Sequence, residues 1–224
     1  MATALISGAS RGIGLEFVRQ YRTDGWEVIG TARDDGGMNR IAELGARPAR
    51  LDVNDPGAPE ALEAIIGPTE LDVVIYSAGV QISRTKALEP PAEAEFDQVM
   101  RTNVLAAMRL CPVAGRALAP AKGRLAVMSS RMGSIGLRNA TNSWLYRASK
   151  AALNSVLADM ALVLGPEGVT CTALNPGWVR TDMGRAGALI DVATSVSGMR
   201  STLAALQPAQ NGSFLQFDGT PLAW

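Results

Sequence analysis

Tyr146 and Lys150, in the stretch YRASK, are the residues of this sequence best spaced for proton chemistry. Residues four apart share one face of a helix, so a phenol and an ammonium placed this way can reach one site. A free phenol titrates near a pKa of about 10, too high for efficient proton carriage at neutrality. A neighbouring ammonium favours the phenolate and draws that value down, towards the range where a general acid or base works well. Ser130, at the end of MSS, could offer a hydroxyl to the same reacting oxygen. A Ser-Lys hydrolase built on Ser130 and Lys150 is a second chemistry open to these side chains. The chain contains no histidine. That excludes histidine acid/base catalysis, Ser-His-Asp hydrolysis and histidine-ligated zinc together.

A different kind of signal lies near the start. SGASRGIG, residues 7–14, places Gly8, Gly12 and Gly14 between an apolar run and a helix-compatible stretch. Glycine in a turn costs conformational entropy, so the turn must need what glycine supplies. One such need is the close approach of an anion to the free N–H groups of a helix N-terminus. A tight strand-to-helix turn without a ligand is the plainer alternative, and the spacing is not the G-x-G-x-x-G of the usual dinucleotide fingerprint.

The elements that must carry these residues follow from hydrophobic patterning. Seven short aliphatic runs, ATALIS, WEVIGTA, RPARLDV, LDVVIYSAG, GRLAVMSS, VTCTALNPG and GSFLQFDG, read as strands. Several are apolar on successive residues, as expected of strands covered on both faces. Segments 12–24, 38–45, 57–66, 95–119, 144–165 and 188–206 read as helices between them. This alternation predicts an α/β fold, a Rossmann-type doubly wound parallel sheet of about seven strands with helices on both faces. With no linker, repeat or low-complexity tract, residues 1–224 are expected to form a single domain. In such a sheet the ligand crevice lies at the strand C-termini, where the glycine turn and Ser130 both fall.

Composition narrows the function further. Of 224 residues, 47% are hydrophobic and 19% charged, enough to bury a sizeable core. Lys plus Arg equals Asp plus Glu, 21 of each, so no net field recruits nucleic acid or an anionic membrane surface. No run of eighteen or more consecutive apolar residues and no secretory pattern is visible. Cys111 and Cys171 form no metal-binding or redox motif and are expected as buried thiols in a reducing compartment. The expected location is the cytoplasm, with no metal.

Taken together and in this order, the three signals resemble the short-chain dehydrogenase/reductase family over essentially the whole chain, and in particular its compact C-factor-like and carbonyl-reductase-like members. Gly8, Gly12 and Gly14 match the family's T-G-x-x-x-G-x-G turn, with Ser7 in place of Thr; Ser10, Arg11 and Ile13 lie within it as implied cofactor contacts. Ser130, Tyr146 and Lys150 match the catalytic serine, tyrosine and lysine, and Asn103 in RTNVLA matches the asparagine that joins them through a water. Asp52 and Val53, closing LDV, are similar to the adenine-binding strand end. NPGWVRT is similar to the nicotinamide loop, implying contacts at Pro176, Gly177, Val179 and Thr181. Ala78 and Gly79 border the adenosine, although Tyr76 and Ser77 replace the family's two asparagines.

The resemblance implies NADPH-dependent reduction of a ketone or aldehyde, reversible as alcohol oxidation, with Tyr146 as proton donor. NADP(H) is expected because Ala32 stands where NAD-dependent members carry an acid, with Arg33 next to it. Arg33 and Arg11 could then converge on one 2′-phosphate, unless Asp34 turns inward. Met132, Trp144, Trp178 and Met183 are candidates for an apolar substrate pocket. Residues 102–119 and 147–164 are nearly apolar all round, and the family pairs these two helices, so a homodimer or homotetramer is expected. The alternative is an NAD(P)-binding signalling or regulatory protein of C-factor-like type with little turnover.

Overall fold

Each strand run that lacks alternation is buried on both sides, and this dictates the architecture. In the computed structural model, which describes residues 1–86, 88–184 and 187–224, seven parallel strands form one sheet in the order β3-β2-β1-β4-β5-β6-β7. They are β1 (Thr3–Ser7), β2 (Glu27–Ala32), β3 (Arg47–Arg50), β4 (Val73–Tyr76), β5 (Arg124–Met128), β6 (Thr170–Asn175) and β7 (Ser213–Gln216). Successive residues of β1 serve opposite faces. Leu5 belongs to one apolar cluster, with Leu62, Leu110, Leu153 and Leu157. Ala4 and Ile6 belong to the other, with Phe17, Ile41, Val196 and Met199.

The helices are α1 (Gly12–Thr23), α2 (Asp35–Glu43), α3 (Ala58–Ile66), α4 (Glu93–Met100), α5 (Ala106–Arg116), α6 (Trp144–Leu164) and α7 (Val192–Ala205). Residues 95–119, read from sequence as one helix, are α4 and α5 joined through a π-helical turn at Arg101–Leu105. Helix α2 begins three residues earlier than expected, because the Asp34 carboxylate accepts a hydrogen bond from Gly37 N at 2.7 Å and so caps it. Helix α6 is long and apolar enough to cross a membrane, but it packs Leu153 and Leu157 into the core beneath the sheet and is a core helix.

Strand order reverses between β1 and β4, which pair from Ala4↔Val73 to Ser7↔Tyr76. The crevice that opens at such a reversal is where open α/β sheets bind ligands. The glycine turn after β1 and Ala78-Gly79 after β4 form its two lips.

Candidate active site

At the C-terminal edge of the sheet lies a cleft of about 810 Å³. The glycines divide their work there. A Cβ on Gly8 would lie 2.7 Å from Ala78 N, and one on Gly14 would lie 2.2 Å from Gly8 O, so these two let β1, β4 and α1 meet. Gly12 differs: its φ is +55°, and a Cβ there would find only Thr181 Cγ2, at 3.7 Å. Helix α1 has no side-chain cap and no acid in its first turn. Its first amides and positive dipole end therefore suit a phosphate group. The plain-turn explanation accounts for Gly8 and Gly14; the bare helix end beside a cleft accounts for an anion.

Of the residues singled out from sequence, Gly8, Ser10, Arg11, Gly12, Ile13 and Gly14 line this cleft along one side. Arg33, Asp52 and Val53 line its far end, Ala78 the lip after β4, and Tyr146, Lys150, Pro176 and Thr181 its near end, with Gly79 beside Lys150, where a Cβ would lie 3.3 Å from Nζ. Gly177 and Val179 are set back from the wall. Val179 is buried and bridges Ile190, and a Cβ on Gly177 would lie 2.7 Å from Ile190 Cδ1. Both serve to hold the loop that presents Pro176 and Thr181.

The far end has a composition that only the fold brings together. Asp34, which could have faced inward, is occupied in capping α2. Asp35 pairs with Arg50, whose guanidinium also donates to Arg33 O at 3.0 Å. Arg11 does not converge with Arg33: it pairs with Asp182 at 2.7 Å, across the opening, and both side chains are largely exposed. Arg40, which sequence reading missed, takes its place. Its Nε donates to Ser10 O at 2.8 Å, and it lines the cleft with Arg33. Gly37 makes this possible, since a Cβ there would lie 2.7 Å from both Ala32 Cβ and Ser10 Cβ. No local pattern marks Arg40; only the return of α2 over the glycine turn brings it in.

The near end is built on α6. Tyr146 is half-buried in its first turn, and Lys150, one turn on, is 4% exposed. Lys150 Nζ donates to Met128 O at 2.7 Å and stands 5.7 Å from the centroid of the Tyr146 ring. Burial pulls Lys150 down to about 8. Burial pushes Tyr146 up to about 12, with the Ser130 hydroxyl and the Arg84 charge pulling against it. The expected lowering by Lys150 is therefore not what governs this phenol. Desolvation penalises both charged forms, the ammonium of Lys150 as well as the phenolate of Tyr146. Tyr146 stands as a neutral phenol, a donor ready for an oxygen gaining charge.

Ser130 is set by two contacts that the sequence does not advertise. Asn175 Oδ1 accepts from Arg131 N at 3.0 Å, and Ser130 Oγ accepts from Met132 N at 3.1 Å. Gly133 lets this turn lie directly on α6, where a Cβ would come within 2.8 Å of the Lys150 carbonyl carbon. Asn103 is fully buried in the π-helical turn. Its amide donates to Val80 O and Ser149 Oγ, both at 2.9 Å, and its Oδ1 accepts from Val80 N at 2.8 Å. Asn103 thus fastens the segment after β4 that carries Gly79 and makes no direct bond to Tyr146 or Lys150. Tyr76, standing where the family has asparagine, donates to Thr102 O at 3.1 Å and supports the same turn. Among the four apolar candidates only Met183 lines the cleft. The indoles of Trp144 and Trp178 donate to Glu89 O and Gly184 O, so they pin loops.

A parallel sheet with a bare helix end at its switch point, facing a tyrosine, lysine and serine, defines a dinucleotide-binding oxidoreductase. The chain matches the short chain dehydrogenase family over residues 2–188 and belongs to it. It is 36% identical over 155 residues to the C-signal of Myxococcus xanthus, covering 69% of this chain and 93% of that protein. The carbonyl reductase Sniffer of D. melanogaster superposes with a TM-score of 0.92 at 28% identity, covering both chains fully. The NADPH-bound carbonyl reductase from chicken fatty liver superposes with a TM-score of 0.85 at 28% identity, covering 100% of this chain and 99% of that one. The family binds NAD(P), and the cleft fits that group: uncapped α1 amides for the pyrophosphate, and the Arg33 and Arg40 guanidiniums at the far end.

Proposed function

We propose that this protein is an NADPH-dependent carbonyl reductase, converting a ketone or aldehyde and a proton to an alcohol. The observation that carries this reading is one cleft with Arg33 and Arg40 at one end and Tyr146 and Lys150 at the other, with the Ser130 hydroxyl set back against the Tyr146 phenol. When bound, the cofactor supplies the hydride that reaches the carbonyl carbon. Tyr146 gives its phenolic proton to the carbonyl oxygen, and Ser130 donates a hydrogen bond to that oxygen as its charge grows. Lys150, held by Met128 O, positions the ribose beside Tyr146. Arg33 and Arg40 hold the 2′-phosphate, for which a guanidinium supplies parallel N–H bonds. The NADPH-bound carbonyl reductase from chicken supports the choice of cofactor.

The test is cofactor oxidation against a panel of ketones and aldehydes, with NADPH and NADH side by side. NADPH should be strongly preferred. Arg33→Ala should raise KM for NADPH roughly tenfold or more, since a charge-assisted bond is worth about 1.5–3 kcal/mol, and Arg40→Ala should add to that loss. Equal efficiency with both cofactors in the wild type would overturn the assignment of the far end. The likeness to C-signal favours one other reading, a dinucleotide-binding signalling protein. Tight NADPH binding with no turnover across the panel would select it.

We also propose a homodimer, or a tetramer built from it, through α5 and α6. These helices expose Met108, Leu162 and Val163, with 53%, 77% and 68% of each accessible. Apolar side chains gathered beyond the sheet-facing stripe ask for a second surface to cover them. Light scattering on a sizing column at micromolar concentration should report at least twice the 23.5 kDa chain mass; a monomer there counts against the pairing.

A further inference from the structure

The segment between β4 and α4 is bound onto α4 and the entrance of α6 by several hydrogen bonds. Ser83 N donates to Glu95 Oε1 at 3.1 Å, Gln81 Nε2 to Ser143 Oγ at 3.1 Å, and Trp144 Nε1 to Glu89 O at 2.8 Å. Ser143 N donates to Thr85 O at 3.0 Å, and Ser143 itself holds a left-handed φ of 55°. Such a conformation is uncommon outside glycine and persists only where the surroundings impose it. Arg84, next to Thr85, is therefore anchored through Ser143, which stands three residues before Tyr146 in the chain.

From there the Arg84 guanidinium reaches across the opening and donates through Nη2 to Met183 O at 2.5 Å. Met183 lines the cleft at its catalytic end, and the Arg84 charge is felt at the Tyr146 hydroxyl. Among the described residues, Arg84 enters none of the ion pairs. Glu95, the acid bound into the same segment, is engaged by both the amide and the hydroxyl of Ser83. A guanidinium has five N–H donors in a planar fork. One meets Met183 O, and no other protein partner is found for the rest among the described residues. Helix α6, which carries Tyr146 in its first turn, has no side-chain cap, so its partial positive end adds to the same field.

We propose that Arg84 is a substrate-binding residue that takes a carboxylate, so that the preferred substrates are carbonyl compounds bearing a carboxylate group. The inference rests on the carbonyl-reductase reading for the reaction, but not for the binding. A carboxylate presents two coplanar oxygens to the guanidinium fork, a match that a neutral ester or amide lacks. The bond to Met183 O holds the fork in place before substrate arrives, which limits the ordering needed on binding.

Calorimetric titration of the NADP⁺-loaded protein separates this from a purely structural strap. The probes are oxo acids with the carbonyl two to six carbons from the carboxylate, each paired with its methyl ester. At least one acid should bind about tenfold or more tightly than its ester, the scale of one charge-assisted bond. In Arg84→Gln, which removes the charge and keeps an amide donor, that acid-to-ester ratio should fall towards one. In Arg84→Lys it should survive in part. Equal binding of every acid and ester by the wild type, or an undiminished ratio in Arg84→Gln, overturns the proposal. Turnover assayed on the same pairs keeps the two readings apart. Reduction of neutral ketones without any acid preference removes the carboxylate site and leaves the reductase. Acid binding that depends on Arg84, with no NADPH oxidation, removes the reductase and leaves the site.

Discussion

Tyr146→Phe is expected to bind NADPH as the wild type does and to lose nearly all carbonyl reduction. The substitution keeps the ring that packs at the head of α6 and removes only the hydroxyl, so the cleft wall and Lys150 stay in place. What disappears is the proton donor, and general acid catalysis contributes about 10²–10⁴-fold. No histidine exists to substitute for it, and Lys150 is held away by Met128 O. Steady-state rates with NADPH fluorescence as a binding control decide the matter. A variant keeping a tenth or more of the wild-type rate would remove Tyr146 from the mechanism. In the reverse direction the phenolate is the active form, and burial holds the phenol at about 12. Alcohol oxidation by the wild type should therefore rise with pH across the neutral and mildly alkaline range.

Lys150→Met should separate catalysis from stability. Lys150 titrates at about 8 in the folded protein because it is desolvated, against 10.5 in an unfolded chain. Below about pH 8 both states carry the proton, and the fold bears the full cost of a buried ammonium. Between 8 and 10.5 the unfolded chain binds more protons than the folded one, so stability contributed by this residue rises with pH. A shift of this size corresponds to roughly 3 kcal/mol. Methionine has nothing to titrate. The stability of Lys150→Met relative to wild type should thus be highest below pH 8 and decline by roughly that amount as pH approaches 10.5. Tyr146, raised to about 12, works in the opposite sense above pH 10, but it is common to both proteins and cancels. Turnover should be lost at every pH. Denaturant midpoints that keep a constant spacing across the window would show that this ammonium is not desolvated.

The preference for NADPH illustrates where local reading succeeds and where it stops. Ala32 and Arg33 sit at a strand end, and a strand end is legible from the aliphatic run before it. The second cation is not. Arg11 lies in the glycine turn and looked available, yet it pairs with Asp182, 171 residues later. Arg40 lies on a helix face with no local mark of function, yet the backbone of Ser10 holds it at the cleft. Exposed arginines have long, rotatable side chains, and which partner each one meets depends on loops that carry no periodicity. The same holds for the aromatic residues proposed as a pocket. Trp144 and Trp178 are near the active residues in sequence, but their indole N–H groups bind the loops that frame the opening.

By itself the sequence determined the sheet, the place of the crevice and the proton-carrying pair. Burial on both faces leaves unbroken aliphatic runs, glycine marks the turn where backbone meets backbone, and four-residue spacing puts Tyr146 and Lys150 on one face. Each of these is a local consequence of chain geometry. The tertiary structure alone decided which cation stands beside Arg33, and that Asn103 fastens Val80 and Ser149. It alone joined Arg84 to Met183 across the cleft, and pushed Tyr146 up and Lys150 down instead of letting one lower the other. Those outcomes depend on what surrounds a side chain from segments far along the chain, because desolvation and partner choice are set by packing from several elements at once.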